Sequence, residues 1–310
     1  MEVSFIVPVY NVRNFILECI ESLLEIKNIE YEVLIINDGS TDDSISVISS
    51  LMGNPALKIF HQENRGLSAA RNVGLKNAKG TYVALIDGDD KINASLFEQL
   101  YKKGMRTNPD IIIGDFLYWK KDELIESGKS LNRDYSFCGK ELLRKYYKSI
   151  TSITCRNLYK RKFLLKNNLY FVDGIYFEDV EWMPRVYYLA EDIAYFAIPF
   201  YHYRQRESSI TKSVFSLKKF EDCWTIAYRH LELSRRIEPN LKFLFRENAF
   251  YCIYKAVAYY LHSENETNNR YVLKTLPLIY SEGSIGMKFF FFLYRKFPSL
   301  LVYGLSFMKK

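Results

Sequence analysis

The sequence predicts an α/β fold: a doubly wound sheet of mainly parallel strands, followed by a helical C-terminal appendix. Three observations carry that expectation. Short apolar runs alternate with stretches of helical period through the first 118 residues. Each apolar run ends in a polar cluster, as strands do when a ligand lies beyond their carboxyl ends. From about residue 215 onward only helical spacing is left.

Residues 3–8 are a short apolar run and read as a buried strand. Phe15, Ile16, Cys19, Ile20, Leu23 and Leu24 then recur at the spacing of one helical face. Residues 31–36 read as a second strand. Asp38, Gly39, Ser40 and Thr41 form a turn rich in N-cap residues, ahead of a helical stretch with Ile45, Val47, Ile48 and Leu51. Residues 57–60 give a third strand, 66–78 a helix, 81–86 a fourth strand, 94–105 a helix and 110–113 a fifth strand. Strands and helices in alternation imply parallel β-α-β units with right-handed crossovers, and helices on both faces of the sheet. Tyr10-Asn11, residues 37–40, 62–65 and 87–90 would then converge on one rim. From about 120 to 211 the pattern is mixed. Residues 193–200 are strand-like, 180–190 are helix-forming, and 220–236, 241–262 and 271–280 read as helices. The expected organisation is an α/β domain over 1–212 and a helical region over 213–310.

Composition narrows the function classes. Hydrophobic residues make up 48% of the 310, enough for a sizeable core, so disorder is not expected. The net charge of +7 does not by its sign select a partner. The five cysteines are scattered and form no CxxC, so neither a disulfide framework nor a zinc site is expected, and a reducing interior fits. No leader-like basic start precedes the first strand, and no uncharged apolar run of about 18 residues occurs, so neither a signal peptide nor a spanning helix is expected. The final stretch, 283–310, is aromatic and basic, with Lys288, Arg295, Lys296, Lys309 and Lys310 and no acid. That composition suits either the interface of an anionic bilayer or a helix packed on protein.

The chemically pointed stretch is Asp87-Gly88-Asp89-Asp90, three carboxylates directly after a buried strand. Like charges about 4–5 Å apart repel by a few kcal/mol at an intermediate dielectric. Such crowding persists where a cation sits between the charges or water screens them. Hard oxygen donors suit Mg²⁺ or Mn²⁺, which bind substrate phosphates as well, so a metal here implies a phosphate-bearing substrate. Gly88 lets the backbone turn and approach a ligand closely. The competing reading is a solvated turn in which Asp89 or Asp90 caps the next helix.

In order and spacing, FIVPVYN (5–11), INDGSTDDS (36–44), ENRGLSAARNVGL (63–75), ALIDGDD (84–90) and FEDVEW (177–182) resemble glycosyltransferase family 2. The resemblance implies the GT-A fold and transfer of a sugar from a nucleotide donor with inversion. It implies that Pro8 and Tyr10 line the nucleobase pocket and that Asp38 contacts the base. It turns Arg71 toward the nucleotide, Asp87 toward the ribose and Asp89 toward the metal, with Asp90 supporting them or capping a helix. In Glu178-Asp179 it implies that Asp179 is the general base, with Glu178 beside it. A helix N-terminus there would lower the pKa of Asp179, while Glu178 would raise it. Trp182 has two readings, a face for an acceptor sugar or core. In the segment 201–211 it implies a cover over the donor phosphates, with Arg204, Arg206, Ser209 and Thr211 as donors and His202 as a candidate third metal ligand.

The expected protein is therefore an inverting, Mn²⁺- or Mg²⁺-dependent enzyme using a UDP-sugar. Its acceptor would be a saccharide, carried on a lipid at the cytoplasmic face of a bacterial membrane, in surface-polysaccharide synthesis. Nucleic acid is not an expected partner. Two alternatives stand beside this reading. A nucleotidyltransferase would need a Gly-rich basic loop after the first strand, where Val9–Arg13 has none. A non-catalytic membrane scaffold would have no need of Asp87, Asp89 and Asp179.

Overall fold

The computed structural model describes residues 1–120, 123–126, 131–147, 153–206 and 216–261. The chain divides into two compact units, Met1–Ile210 and Thr211–Lys310.

The first unit opens with β1 (Val3–Val9), α1 (Ile16–Leu24) and β2 (Tyr31–Asp38). The stretch 45–51 read as helical forms a short 3₁₀ turn, Ser46–Leu51. Then come β3 (Leu57–Gln62), α2 (Leu67–Asn77), β4 (Tyr82–Leu85), β5 (Lys91–Ile92), α3 (Ala94–Gly104) and β6 (Ile111–Lys120). The mixed stretch supplies β7 (Glu123–Glu126), β8 (Tyr135–Phe137), a single turn α4 (Gly139–Glu141), β9 (Asn157–Lys160), α5 (Arg161–Lys166), α6 (Glu178–Leu189) and β10 (Ile193–Arg204).

One sheet runs through the unit in the order β3-β2-β1-β4-β9-β6-β10-β5, with β7 on β6 and β8 on β10. β3, β2, β1 and β4 are parallel, as the alternation predicts. Beyond β4 the sheet departs from that expectation. β9 is antiparallel to both β4 and β6, and β5 is antiparallel to β10. β9 is wedged between β4 and β6, which keep a common direction across it, so the crossover through α3 is retained with a strand inserted beneath it. β10 is parallel to β6, so its carboxyl end lies on the rim shared by β1, β2 and β4.

The doubly wound arrangement follows from the alternation of side chains along a strand. β1 is buried along its whole length. Its odd-numbered residues Val3, Phe5, Val7 and Val9 join Cys19, Ile20 and Leu23 of α1 and Phe97 and Leu100 of α3 in one core. Its even-numbered Ile6 faces α2, where Gly74 packs so closely that a Cβ would lie 2.3 Å from Ile6 Cγ2.

In the second unit, α7 (Leu217–Arg236) begins at Ser216, whose hydroxyl accepts from Lys219 N at 3.2 Å. α8 (Pro239–Leu261) starts on a proline, favoured where no amide partner is needed. The two helices pack on each other, burying Phe220, Ile226, Leu231, Leu241 and Phe245. No described helix is long and apolar enough to cross a membrane. The helix expected over 271–280, the basic tail 283–310, Ser209 and Thr211 lie outside the described residues.

Candidate active site

Pro8 is buried near the end of β1, and Tyr10, just past it, is 48% exposed with its ring open to the rim. Asp38 ends β2, 3% exposed. Its carboxylate accepts from Gln62 Nε2 at 2.6 Å, Arg65 N at 2.8 Å and Gly66 N at 2.8 Å. Three of a carboxylate's roughly four acceptor sites are thus taken by protein. Asp38 ties down the entry to α2, where Gly66 turns at φ 87°, a region costly for any side chain.

Arg71, on α2, is 2% exposed. Its guanidinium donates to Asp87 Oδ1 and to Glu178 Oε1, each at 2.7 Å. Burial pulls its pKa down, but the charges of Asp87 and Glu178 outweigh that and hold it well above the ordinary arginine range. It is a fixed cation shared by two carboxylates that lie far apart in sequence.

After β4 the chain turns through Asp87-Gly88-Asp89-Asp90. Gly88 is buried against β1: a Cβ there would stand 3.0 Å from Pro8 O. Its small size thus lets this corner sit on the Pro8 loop. The carboxylate of Asp89 pairs with Arg206 at 2.5 Å. Its pKa is raised, first by burial and then by Asp87, with Arg206 opposing. Asp90 is 2% exposed, accepting from the Tyr201 hydroxyl at 2.5 Å and Arg204 N at 2.7 Å. Burial, then Asp89 and Asp87, push it well above the carboxylate range. Asp90 does not cap α3. That cap is Asn93, which accepts from Leu96 N at 3.0 Å, while Asp90 is turned inward onto β10.

Arg204, expected as a phosphate donor, is engaged by the protein. It donates to Asp89 O at 2.8 Å and Glu18 Oε2 at 2.6 Å, and lies 3.6 Å over the Trp119 ring. Lys91 completes this cluster, bound to Glu18 at 2.8 Å and 3.7 Å over Trp119. His202 is paired with Lys91 across the ladder and is 7% exposed. Burial, then Lys91, lower its pKa. Strand alternation turns it away from the face on which Tyr201 reaches Asp90, and no hydrogen bond or ion pair joins it to the three aspartates among the described residues. The structure therefore does not bring His202 to the corner.

Among the described residues no group of three or more His, Cys, Asp or Glu side chains converges to hold a metal. The donors nevertheless fit a Mg²⁺- or Mn²⁺-type ion that takes one carboxylate and completes its shell with phosphate and water. Asp87 is committed to Arg71 and Asp90 to Tyr201 and the Arg204 N–H; Asp89, paired with the Arg206 side chain, is the hard oxygen donor whose partner a cation would replace.

Glu178 and Asp179 open α6. Phe177, just before them, holds a left-handed conformation at φ 59°, which is uncommon for a bulky residue and found where surrounding structure enforces it. Asp179 Oδ1 accepts from Val180 N at 2.8 Å. Its carboxyl is pushed up to about 7, first by burial and then by Glu178, against the Val180 N–H and Arg71. Of the two opposed effects expected at this helix start, the raising ones win. Trp182 is fully buried, stacked on Phe171 at 4.2 Å with Nε1 donating to Leu169 O at 3.1 Å. It is core, so its reading as a face for an acceptor sugar is withdrawn. Pro184 sits inside α6 rather than in its first turn.

The expected residues thus meet in two places joined by Arg71: a corner of Asp87, Asp89, Asp90 and Arg206, and the start of α6. Sequence reading missed Tyr201 and Glu18, which hold the corner from beneath and behind. The period-two pattern of Tyr201-His202-Tyr203-Arg204 was the available signal for Tyr201; nothing local marks Glu18.

A family model described as glycosyl transferase family 2 matches residues 4–167. Glycosyltransferase GlyG of Streptococcus pneumoniae serotype 4 is 30% identical over 245 residues, 71% of this chain and 80% of that protein. Other curated relatives are spanned over 63% of their length. Among solved structures, S. aureus TarS 1-349 in complex with UDP-GlcNAc aligns with a TM-score of 0.65 at 21% identity, over 88% of this chain and 76% of that one. The mannosyltransferase PcManGT from Pyrobaculum calidifontis, in complex with GDP-Man and Mn²⁺, aligns at 0.56 and 15% identity, over 100% of this chain and 81% of that one. The fold is that of the GT-A glycosyltransferases.

Proposed function

The chain belongs to glycosyltransferase family 2, and from that premise we propose that it is an inverting enzyme that moves a sugar from a UDP-sugar to a saccharide hydroxyl. Glycosyl transfer from a nucleotide-sugar is the activity class of the family. Uridine as the nucleotide is supported by the TarS complex with UDP-GlcNAc.

The observation that carries the mechanism is Asp179, pushed up to about 7. A base with that affinity for protons is matched to neutral pH. Asp179 takes the proton of the acceptor hydroxyl as its oxygen attacks the anomeric carbon, and the bond from that carbon to the diphosphate breaks on the opposite side. Arg71 holds Asp87 and Glu178 in fixed relation, so the donor side and the base side keep one geometry. A divalent cation held by Asp89 and the donor diphosphate would offset charge on the leaving nucleotide. Mn²⁺ is supported by its presence in the PcManGT complex. Arg206, paired with Asp89 in the structure, would exchange that carboxylate for a phosphate oxygen of the donor. Tyr10 offers its exposed ring to the base, and Asp38 keeps one acceptor site for it.

The acceptor is a growing surface polysaccharide on a lipid carrier, met at the inner face of the bacterial membrane by a catalytic domain ending near residue 212. The basic, acid-free stretch 283–310 supports that part of the proposal. Flotation with anionic liposomes, with and without residues 285–310, tests it, and equal flotation would overturn it. For the reaction, Asp179→Asn is expected to lose about 10²–10⁴-fold in transfer rate across a UDP-sugar panel while binding UDP as the parent does. Full activity in the variant would remove Asp179 from the mechanism.

A further inference from the structure

We propose that Asn72 is a positioning residue for Asp179, acting through the segment that leads into α6; this rests on Asp179 being the base. Asp179 has little of its own to hold it. Among the described residues its carboxylate meets only the N–H of Val180, its neighbour in the chain. Its place is therefore set by the backbone, and the backbone there leaves residue 171 and reaches Glu178 without regular structure. Two residues of that segment turn through positive φ, Gly174 at 73° and Phe177 at 59°. A left-handed conformation is unfavourable for a side-chain-bearing residue, so something must enforce it.

One stretch of chain does so at both ends. Asn72 accepts from Phe171 N at 2.9 Å and donates to Phe171 O at 3.0 Å. It also donates to Asp173 Oδ1 at 2.8 Å. Arg65 adds a bond to Asp173 Oδ2 at 3.0 Å. At the far end Arg71, the residue before Asn72, holds Glu178 at 2.7 Å. Adjacent residues of α2 thus grip the start and the finish of the segment. The Phe171 ring, locked under Trp182 at 4.2 Å, keeps the start from sliding. The motif at 63–75 therefore does more than face a nucleotide: its asparagine fixes where the base stands. Asn72 itself touches no reacting atom.

The discriminating variant is Asn72→Asp, of equal size, which keeps the acceptor for Phe171 N but loses the donor to Phe171 O and sets two carboxylates face to face at Asp173. The partner variant is Asn72→Asp with Asp173→Asn, which restores an amide–carboxylate pair in the reverse sense. The full chain is assayed for kcat, donor KM, UDP affinity with Mn²⁺ by calorimetry, melting temperature, and amide exchange over 178–183. The single variant is expected to lose about 10–10²-fold in kcat, the scale of a displaced catalytic group. Donor KM and UDP affinity should stay within about twofold, with faster exchange over 178–183, and the double variant should recover most of the kcat. Unchanged kcat and exchange in Asn72→Asp would overturn the proposal, as would a loss matched by UDP affinity. Should that variant fail to fold, Asp173→Ala leaves both Phe171 bonds in place and puts the same question at smaller amplitude. Asp179→Asn separates the two ideas. If it is inactive while Asn72→Asp changes neither kcat nor exchange, only the positioning role falls. If it is fully active, the base assignment and the positioning role that rests on it fall together, even with faster exchange in Asn72→Asp.

Discussion

The corner after β4 and the start of α6 both gather carboxyl groups, yet their surroundings differ in kind. In the corner every aspartate has a strong donor from elsewhere in the chain: Arg71 for Asp87, Arg206 for Asp89, and the Tyr201 hydroxyl with Arg204 N for Asp90. Of Glu178 and Asp179, Glu178 has one among the described residues, the shared Arg71. Asp179 is left with a single amide of its own helix. Burial and neighbouring carboxylates raise Asp89 and Asp90 as they raise Asp179, but the corner's oxygens are occupied by those donors, whereas among the described residues Asp179 has only one. A carboxylate left half-buried with a like charge beside it holds a proton more tightly than an exposed one and can take one near neutrality. The corner's carboxylates are tied to distant segments of the chain, and among the described residues that of Asp179 is not.

The sharpest way to break this contrast is to remove the residue common to both. Arg71→Met leaves the partly buried Asp87 and Glu178 without their shared cation, and breaking a buried pair costs at most about 3–5 kcal/mol. Denaturant unfolding should show a loss up to that size, together with loss of transfer. A variant as stable as the parent would mean that the two acidic groups do not depend on a common cation.

Next in size is the pH response. Transfer should rise with pH through about 7, as Asp179 loses its proton. Glu178→Gln removes the charge that, after burial, does most to raise Asp179, so the acidic limb of the kcat profile should move to lower pH. A limb that stays in place would assign it to another group.

Stability carries a signature of opposite sign. The folded state holds the Asp179 proton more tightly than the unfolded chain does, so the stabilisation present below about pH 4 is lost as pH rises through about 7. Asp179→Asn cannot titrate. Its melting temperature should exceed the parent's by a margin that widens from pH 5 to pH 8, each 1 kcal/mol appearing as about 2–4 °C. A constant margin would count against a raised Asp179.

The smallest effect is expected at Arg206. It occupies the carboxylate that a metal would use, so Arg206→Ala should bind Mn²⁺ alone a few-fold more tightly, while the affinity for UDP with Mn²⁺ falls as a phosphate partner is lost. Parallel changes in both titrations would show that Arg206 does not compete for Asp89.

The parallel half of the sheet could be read from the chain because each of its strands is a mostly apolar run followed by a stretch of helical spacing. β9 could not: Asn157-Leu158-Tyr159-Lys160 is short and half polar, and it enters the sheet by pairing with strands formed some 50–80 residues earlier. The site divides in the same way. The aspartates of the corner stand together in sequence and announce themselves. That Arg71 is buried depends on partners spread along the chain, from Asp87 nearby to Phe171 and to Glu178, 107 residues later. Trp182 looked equally suited to a sugar or to a core because aromatic chemistry serves both, and only its stacking on Phe171 decided. A cap was expected from Asp89 or Asp90, but Asn93 caps α3, and the Tyr201 hydroxyl holds Asp90 turned inward.

The bond from Tyr201 to Asp90 spans 111 residues, and that from Arg204 to Glu18 spans 186. A chain emerging from the ribosome can lay down β1 to β4 early, from contacts near in sequence, but its acidic corner has no floor until the last strand arrives. Unfinished or truncated chains therefore carry the recognisable motifs without the side chains that hold Asp90 in place. The late closing of β10 thus sets the order of assembly: the corner takes its final form only when the end of the domain has been made.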